Sequence, residues 1–399
     1  MSTKGTTGQG RNAFWILDFV PPLAGSHQAL WRSFGINACL LSPVSCPKRW
    51  YNLRTMHIGL TYDLQSDPSD ERQAEFDSPA TISALRSALE TLGHSVALIG
   101  GAKELLRIGP RGCCDFDIVF NIAEGTQGRC REAWVPMLLE QWGLPFVGSG
   151  SAAQALALDK IMSKRIARAS NVTTPNWRVV ESMDAFDRIE AVEFPLIVKP
   201  RYEGSGIGID SDSIVHEPRA LRERVEWVIS RYSQPCLIEN FITFGELTVF
   251  LIGNHPPHTL PAVQRPIDES SRLSCHVAKR SKQEAWLSPV DLTPELDSQA
   301  QRIAVTMFES LGCRDMARVD LRVDEKGMLY FLEINPLPSF DPEGSLGLLA
   351  EYLGTTYTDL IGRILDAAMR RMWNSECGMR SEEFKVCKTD SGFRTMSYE

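Results

Sequence analysis

The chain has 399 residues, 43% of them hydrophobic and 23% charged, a globular composition long enough for two or three domains. Its net charge of −8 excludes the basic face that nucleic-acid binding needs, and no apolar run approaches the roughly eighteen residues of a membrane span. The ten cysteines are scattered without a CxxC pair, which reads as thiols of a reducing compartment rather than a disulfide framework or zinc site.

Residues 1–55 hold six Lys and Arg against one acid, Asp18. Three accounts fit them: a basic transit peptide, a disordered extension, or a translation start placed upstream of Met56. From Met56 onward strands alternate with helices. Ile58, Leu60 and Tyr62 alternate as in a half-buried strand, and Asp77 or Ser78 followed by Pro79 caps a helix running to Leu92. Strands are predicted at 95–99 and 116–122 and a helix over 132–142, which implies a small parallel sheet covered by helices. Helix 151–170 and strands 177–180 and 196–199 follow, then an amphipathic helix over 219–232.

Beyond Pro235 the texture is antiparallel, with strands at 236–239, 247–252, 316–323 and 329–334, the last two joined by a hairpin at 324–327. A helix begins at Thr293-Pro294, and a final one spans 359–369 before a polar tail. The expected organisation is an extension (1–55), an N-terminal α/β substrate domain (56–150), a central subdomain (151–236), a C-terminal antiparallel subdomain (237–370) and a mobile tail (371–399).

The sharpest constellation is Arg318-Val-Asp320 followed by Glu333-Ile-Asn335. Alternation puts Arg318 with Asp320 and Glu333 with Asn335, and hairpin pairing brings both sets to one surface. Two carboxylates and an amide oxygen form a hard oxygen set suited to Mg²⁺ and phosphate, with Arg318 beside them for an oxyanion. Lys199 ends a buried strand and leads into Glu203-Gly-Ser-Gly-Ile-Gly208, a loop able to wrap backbone N–H groups around a phosphate. It lacks the Walker A ending and the dinucleotide glycine spacing. Asp159-Lys160 opens a helix, and Glu239 ends an apolar strand seven residues before Glu246.

In this order the pieces resemble the ATP-grasp superfamily, and within it the D-alanine–D-alanine ligase branch. The likeness covers about Met56 to Met369 and rests on 144–150 with 157–160, on 194–200 with 203–205, and on 317–320 with 333–338. The resemblance implies an α/β ATP-grasp fold, ATP and two Mg²⁺ (Mn²⁺ as a substitute), and small amino-acid-like substrates. It implies phosphate contacts from Lys160, Lys199 and the loop with Glu203, Gly204 and Ser205. Glu239 and the Ile242 backbone would hold adenine, and Glu246 the ribose. Asp320, Glu333 and Asn335 would bind metal, Arg318 would stabilise the tetrahedral intermediate, and Lys279 would reach the transferred phosphate from a mobile loop. Glu75 matches the residue expected to bind the first substrate's amine. A cytoplasmic homodimer is the further expectation, or an organellar protein if residues 1–55 are a transit peptide.

The departures from the family pattern concern the substrate. The usual His-Gly and Gly-Glu-Asp-Gly runs are replaced by 121–132, which includes Arg131. Ser339 stands where a glycine serves the oxyanion, Ser345 is the nearest match to the serine that holds the second substrate's carboxylate, and Arg280 replaces a tyrosine. Arg131 and Arg280 point to an acidic or larger carboxylated substrate. The expected activity is an ADP-forming carboxylate–amine ligation through an acyl phosphate. A non-catalytic ATP-binding partner protein is the alternative, disfavoured by the retained metal set; a biotin-dependent carboxylase lacks the length for its carrier domain.

Overall fold

The computed structural model describes residues 55–188, 192–265, 267, 271–273 and 290–378. Three sheets carry the chain. The first takes strands β1 (His57–Thr61), β2 (Ser95–Leu98), β3 (Ile118–Asn121) and β4 (Phe146–Val147), all parallel, in the order β2-β1-β3-β4. Helix α1 (Pro79–Thr91) begins where Ser78 accepts from Thr81 N, and it buries Ile82, Leu85 and Leu89 against this sheet. On the opposite face lie α2 (Ala102–Cys113) and α3 (Trp134–Gln141), around Leu105, Val135 and Leu139. Sequence reading passes over α2 because Gly109-Pro110 interrupts it, with Gly109 at φ 64°.

Residues 151–169 form two helices rather than one, α4 (Ser151–Leu158) and α5 (Lys160–Ala169). Asp159 divides them. Its extended backbone ends one helix, and its carboxylate accepts from Ile161 N and Met162 N to cap the next.

The second sheet is antiparallel, in the order β5-β8-β6-β7: β5 (Trp177–Val180), β6 (Leu196–Pro200), β7 (Ile214–Val215) and β8 (Cys236–Asn240). A short helix α6 (Met183–Phe186) follows β5, and α7 (Pro218–Tyr232) covers the sheet with Leu221, Val225 and Val228. The predicted strand at 236–239 therefore belongs here, so the expected division at residue 236 falls inside this sheet.

The third sheet orders β10 (Pro257–Thr259), β9 (Gly245–Gly253), β12 (Met316–Val323) and β13 (Leu329–Asn335), with β11 (Val263–Gln264) also on β9. Helix α8 (Pro294–Ser310) packs behind it, and Ala153, Ala157 and Ala167 of α4 and α5 share this core. Small side chains on α4 let that helix lie close to the strands. Helix α9 (Ser345–Tyr352) was not foreseen, and α10 (Tyr357–Gly378) outruns the expected 359–369. Leu360, Ile361, Ile364 and Leu365 of α10 return to the first sheet's core, so both ends of the described chain share one apolar cluster.

Candidate active site

Strand register builds the centre. Asp320 on β12 lies opposite Thr248 on β9 and Glu333 on β13, and Arg318 lies opposite Asn335. The side chains foreseen on one surface do meet: Arg318 Nη2 stands 2.8 Å from Asp320 Oδ2, Asn335 Nδ2 donates to the same oxygen at 3.2 Å, and Thr248 donates to Oδ1. Burial opposes the Arg318 charge, but Asp320 and Glu333 outweigh it and hold the guanidinium pKa above its usual value.

Lys160, first residue of α5, reaches across. Its Nζ pairs with Glu333 Oε2 at 3.0 Å and donates to Glu203 O at 2.6 Å. Burial would raise the Glu333 carboxyl, yet Lys160, Lys199 and Arg318 together hold it well below the carboxylate range. As an oxygen set, Asp320, Glu333 and Asn335 suit a divalent cation. In the present arrangement their charge is balanced by Arg318 and Lys160, so a cation would have to displace the Arg318–Asp320 contact.

The glycine loop is docked on the segment between β1 and α1. Glu75 Oε1 accepts from Gly204 N at 2.7 Å, while its Oε2 receives Arg131 Nη2 at 2.6 Å. A Cβ at Gly204 would overlap Glu75 Oε1, so glycine lets the loop approach without moving that carboxylate. Farther along, Glu71 Oε1 accepts from Gly208 N at 3.1 Å and from Tyr232 OH at 2.8 Å. Ser205 sits at φ 46°, a left-handed conformation consistent with a tightly turned loop.

Together these groups enclose a cavity of about 260 Å³ lined by Glu75, Lys160, Gly204, Ser205, Arg318, Glu333, Asn335 and Ser339 among others. Ser345 is the first residue of α9 and does not line it. Lys279 and Arg280 lie outside the described residues.

The nucleotide-facing expectations come out differently. Glu239, 1% exposed, is flanked by Lys164 Nζ and Lys199 Nζ, each 2.7 Å from one of its oxygens. Burial pushes its carboxyl up, but the two lysines together hold it below the usual range. Glu246 pairs with Arg322 at 3.1 Å and Arg265 at 3.5 Å, and Ile242 O accepts from Arg322 Nε at 2.8 Å. None of these borders the cavity.

Arg131 also departs from the reading that it awaits an acidic substrate. Glu75, Glu203 (3.3 Å) and the Tyr202 carbonyl (2.8 Å) take up its donors, because a buried guanidinium must be matched locally.

Sequence reading missed Lys164, whose signal was its place one helical turn after Lys160. Fully buried, it has its pKa lowered to about 8, burial outweighing Glu239. It also missed the carboxylates on the cavity's other wall. Burial, then Asp63 and Asp341, pushes Asp77 up to about 8. Burial, then Glu132, Glu75 and Asp77, pushes Glu124 well up. Glu132, 9% exposed, is raised by burial and then Glu75.

Comparison with known proteins agrees with this architecture. Residues 166–366 match the family described as D-ala D-ala ligase C-terminus. An uncharacterised Sinorhizobium fredii protein, y4sG, is 35% identical over 72% of this chain and 87% of its own length. A D-alanine–D-alanine ligase of a Synechococcus strain is 31% identical over 77% of this chain and 92% of the relative. In fold, the crystal structure of a Bacillus anthracis D-alanine–D-alanine ligase complexed with ATP covers 80% of this chain and 99% of that one, with TM-score 0.61 and 23% identity. The chain belongs to the D-alanine–D-alanine ligase family of ATP-grasp ligases.

Proposed function

We propose that the cavity is where a small amino-acid-like carboxylate is activated by ATP and joined to an amine, with release of ADP and phosphate. The observation that carries this reading is the convergence of Glu333, Asn335, Lys160 and Arg318 on one cavity roofed by the docked loop, with Asp320 behind them in contact with Arg318 and Asn335. A carboxylate oxygen of the acid attacks the γ-phosphorus and ADP departs. The amine then attacks the carbonyl carbon, phosphate departs, and the nitrogen loses its proton.

Lys160 and Lys199 neutralise phosphate charge, Ser205 and the loop N–H groups wrap it, and Arg318 faces the developing oxyanion. Asp320, Glu333 and Asn335 would hold two Mg²⁺, which supply charge neutralisation and alignment for phosphoryl transfer. Adenine and ribose contacts from Glu239, Ile242 and Glu246 require that the lysine and arginine pairs around them open. Lys279 is proposed for the transferred phosphate, and Ser339 and Ser345 for the second substrate. Loop docking through Glu75 and Glu71 keeps water from the activated acid.

No helix among the described residues is long and apolar enough to cross a membrane; a cytoplasmic homodimer is part of the proposal, tested by fractionation and sedimentation. The activity is tested by incubating the Met56-start protein with Mg²⁺-ATP and amino acids, singly and in pairs, following phosphate and product mass. A condensed product lighter by one water, formed with phosphate, supports the reading; ATP binding without turnover of any pair counts against it.

A further inference from the structure

The charge around the cavity is unbalanced on one side. Among the described residues Lys160 and Arg318 are the positive side chains that line it, and each is already matched, by Glu333 and by Asp320. Arg131, just outside, is matched by Glu75. Of the other lining carboxylates, Asp341 accepts from Glu343 N, while Asp77, Glu124 and Glu132 have no side-chain hydrogen bond or ion pair among the described residues.

Glu132 is the telling member. It is 9% exposed, and its carboxylate borders the cavity with no side-chain hydrogen bond or ion pair among the described residues, feeling Arg131 and Lys160 only through their charge, so that donors in the cavity would be favourable for it. Among the described residues no three His, Cys, Asp or Glu side chains are grouped to hold an ion. Separated carboxylates around a cavity of about 260 Å³ instead suit an organic cation of amino-acid size, smaller than the drug-sized ligands that fill about 300 Å³ or more.

We propose that the acid activated here carries a cationic nitrogen beyond its α-amine, as a basic amino acid does, and that Glu132, with Glu124 and Asp77, binds that cation. This rests on the ligase reading and gives it a substrate class. Burial already pushes all three carboxyls up, and a bound cation would restore their ionised forms. It also stands in place of the part of the acidic-substrate expectation that rested on Arg131, which is taken up by Glu75 and Glu203; Arg280, the other arginine behind that expectation, lies outside the described residues.

The test is calorimetric titration of the full chain, with Mg²⁺ and a non-hydrolysable ATP analogue, by ornithine, lysine and arginine and by the uncharged norvaline and norleucine, each as D and L forms. At least one cationic acid should bind about tenfold more tightly than its uncharged counterpart, the scale of one charge-assisted hydrogen bond. Glu132→Gln should remove most of that advantage and Glu132→Asp should keep part of it. Equal binding of charged and uncharged acids, no binding of any cationic acid, or an advantage undiminished in both Glu132→Gln and Glu124→Gln would overturn the proposal. The ligase reading is judged separately: phosphate release with uncharged acids alone would leave it standing while sinking the cation site, and failure to bind the ATP analogue would count against the ligase itself.

Discussion

Lys160 Nζ lies 3.0 Å from Glu333 Oε2, and this contact ties the start of α5 to the last strand of the C-terminal sheet. The same nitrogen holds the Glu203 carbonyl at 2.6 Å, so one cation links a helix, a sheet and the glycine loop. Replacing Lys160 by Met keeps the side-chain length but removes that link and leaves Glu333 short of a counter-charge. Phosphate release should fall about a hundredfold or more, in line with losing one preorganised electrostatic contact, and hydrogen exchange should rise across 203–208. Unchanged exchange would show that the loop is held without Lys160.

Lys164 should matter chiefly for stability. With Glu239 it forms a buried pair, and Lys199 supplies a second cation to the same carboxylate. Lys164→Met should lower unfolding free energy by about 3 kcal/mol, the lower end for breaking a buried pair, since Lys199 remains. Denaturant unfolding at neutral pH measures it, and a loss under about 1 kcal/mol would mean Lys199 suffices.

Asp77 gives the fold a pH dependence with a defined sign. Its folded pKa, about 8, is raised above the ordinary 3.8, so the folded state binds more protons than the unfolded state between these values. Its contribution is full below about pH 4 and is lost as pH rises towards 8. Asp77→Asn removes that titration, so the fall in melting temperature between pH 5 and pH 8 should be smaller in the variant. An identical slope in both proteins would assign the dependence elsewhere.

Gly204→Ala should release the loop from Glu75, because a methyl group would overlap the carboxylate that accepts from Gly204 N. We expect faster proteolysis within 203–208 and a raised KM for ATP, with melting temperature nearly unchanged. Protease resistance equal to wild type would mean that the remaining contacts, Lys160 to the Glu203 carbonyl and Glu71 to Gly208 N, suffice to anchor the loop.

Chelation should separate catalysis from folding. Because Arg318 and Lys160 already balance Asp320 and Glu333, EDTA should abolish phosphate release while leaving the melting temperature within about 1 °C, the shift expected from about 1 kcal/mol in a chain this size. A large drop would show that the carboxylates depend on metal for stability.

The face proposed to be catalytic was legible because strand alternation and one hairpin fix it locally: Arg318, Asp320, Glu333 and Asn335 are placed by period and register. The partnerships that decide function were not, since they join residues far apart in sequence. Nothing near Arg131 announces that Glu75 will neutralise it from 56 positions away. Glu239 looked free for a nucleotide because its lysines come from another helix and another strand. Fold misreadings had local causes, the glycine-proline break in α2 and the Asp159 cap that splits 151–169 into two helices.

The most direct test of the account is Glu333→Gln assayed beside wild type for ATP-dependent condensation of amino acids, with binding of the ATP analogue measured in both. The account predicts a product lighter by one water from the wild-type protein, and near-complete loss of phosphate and product in the variant with its fold retained. A variant that condenses amino acids as fast as wild type would contradict the placement of the reaction at Asp320, Glu333 and Asn335.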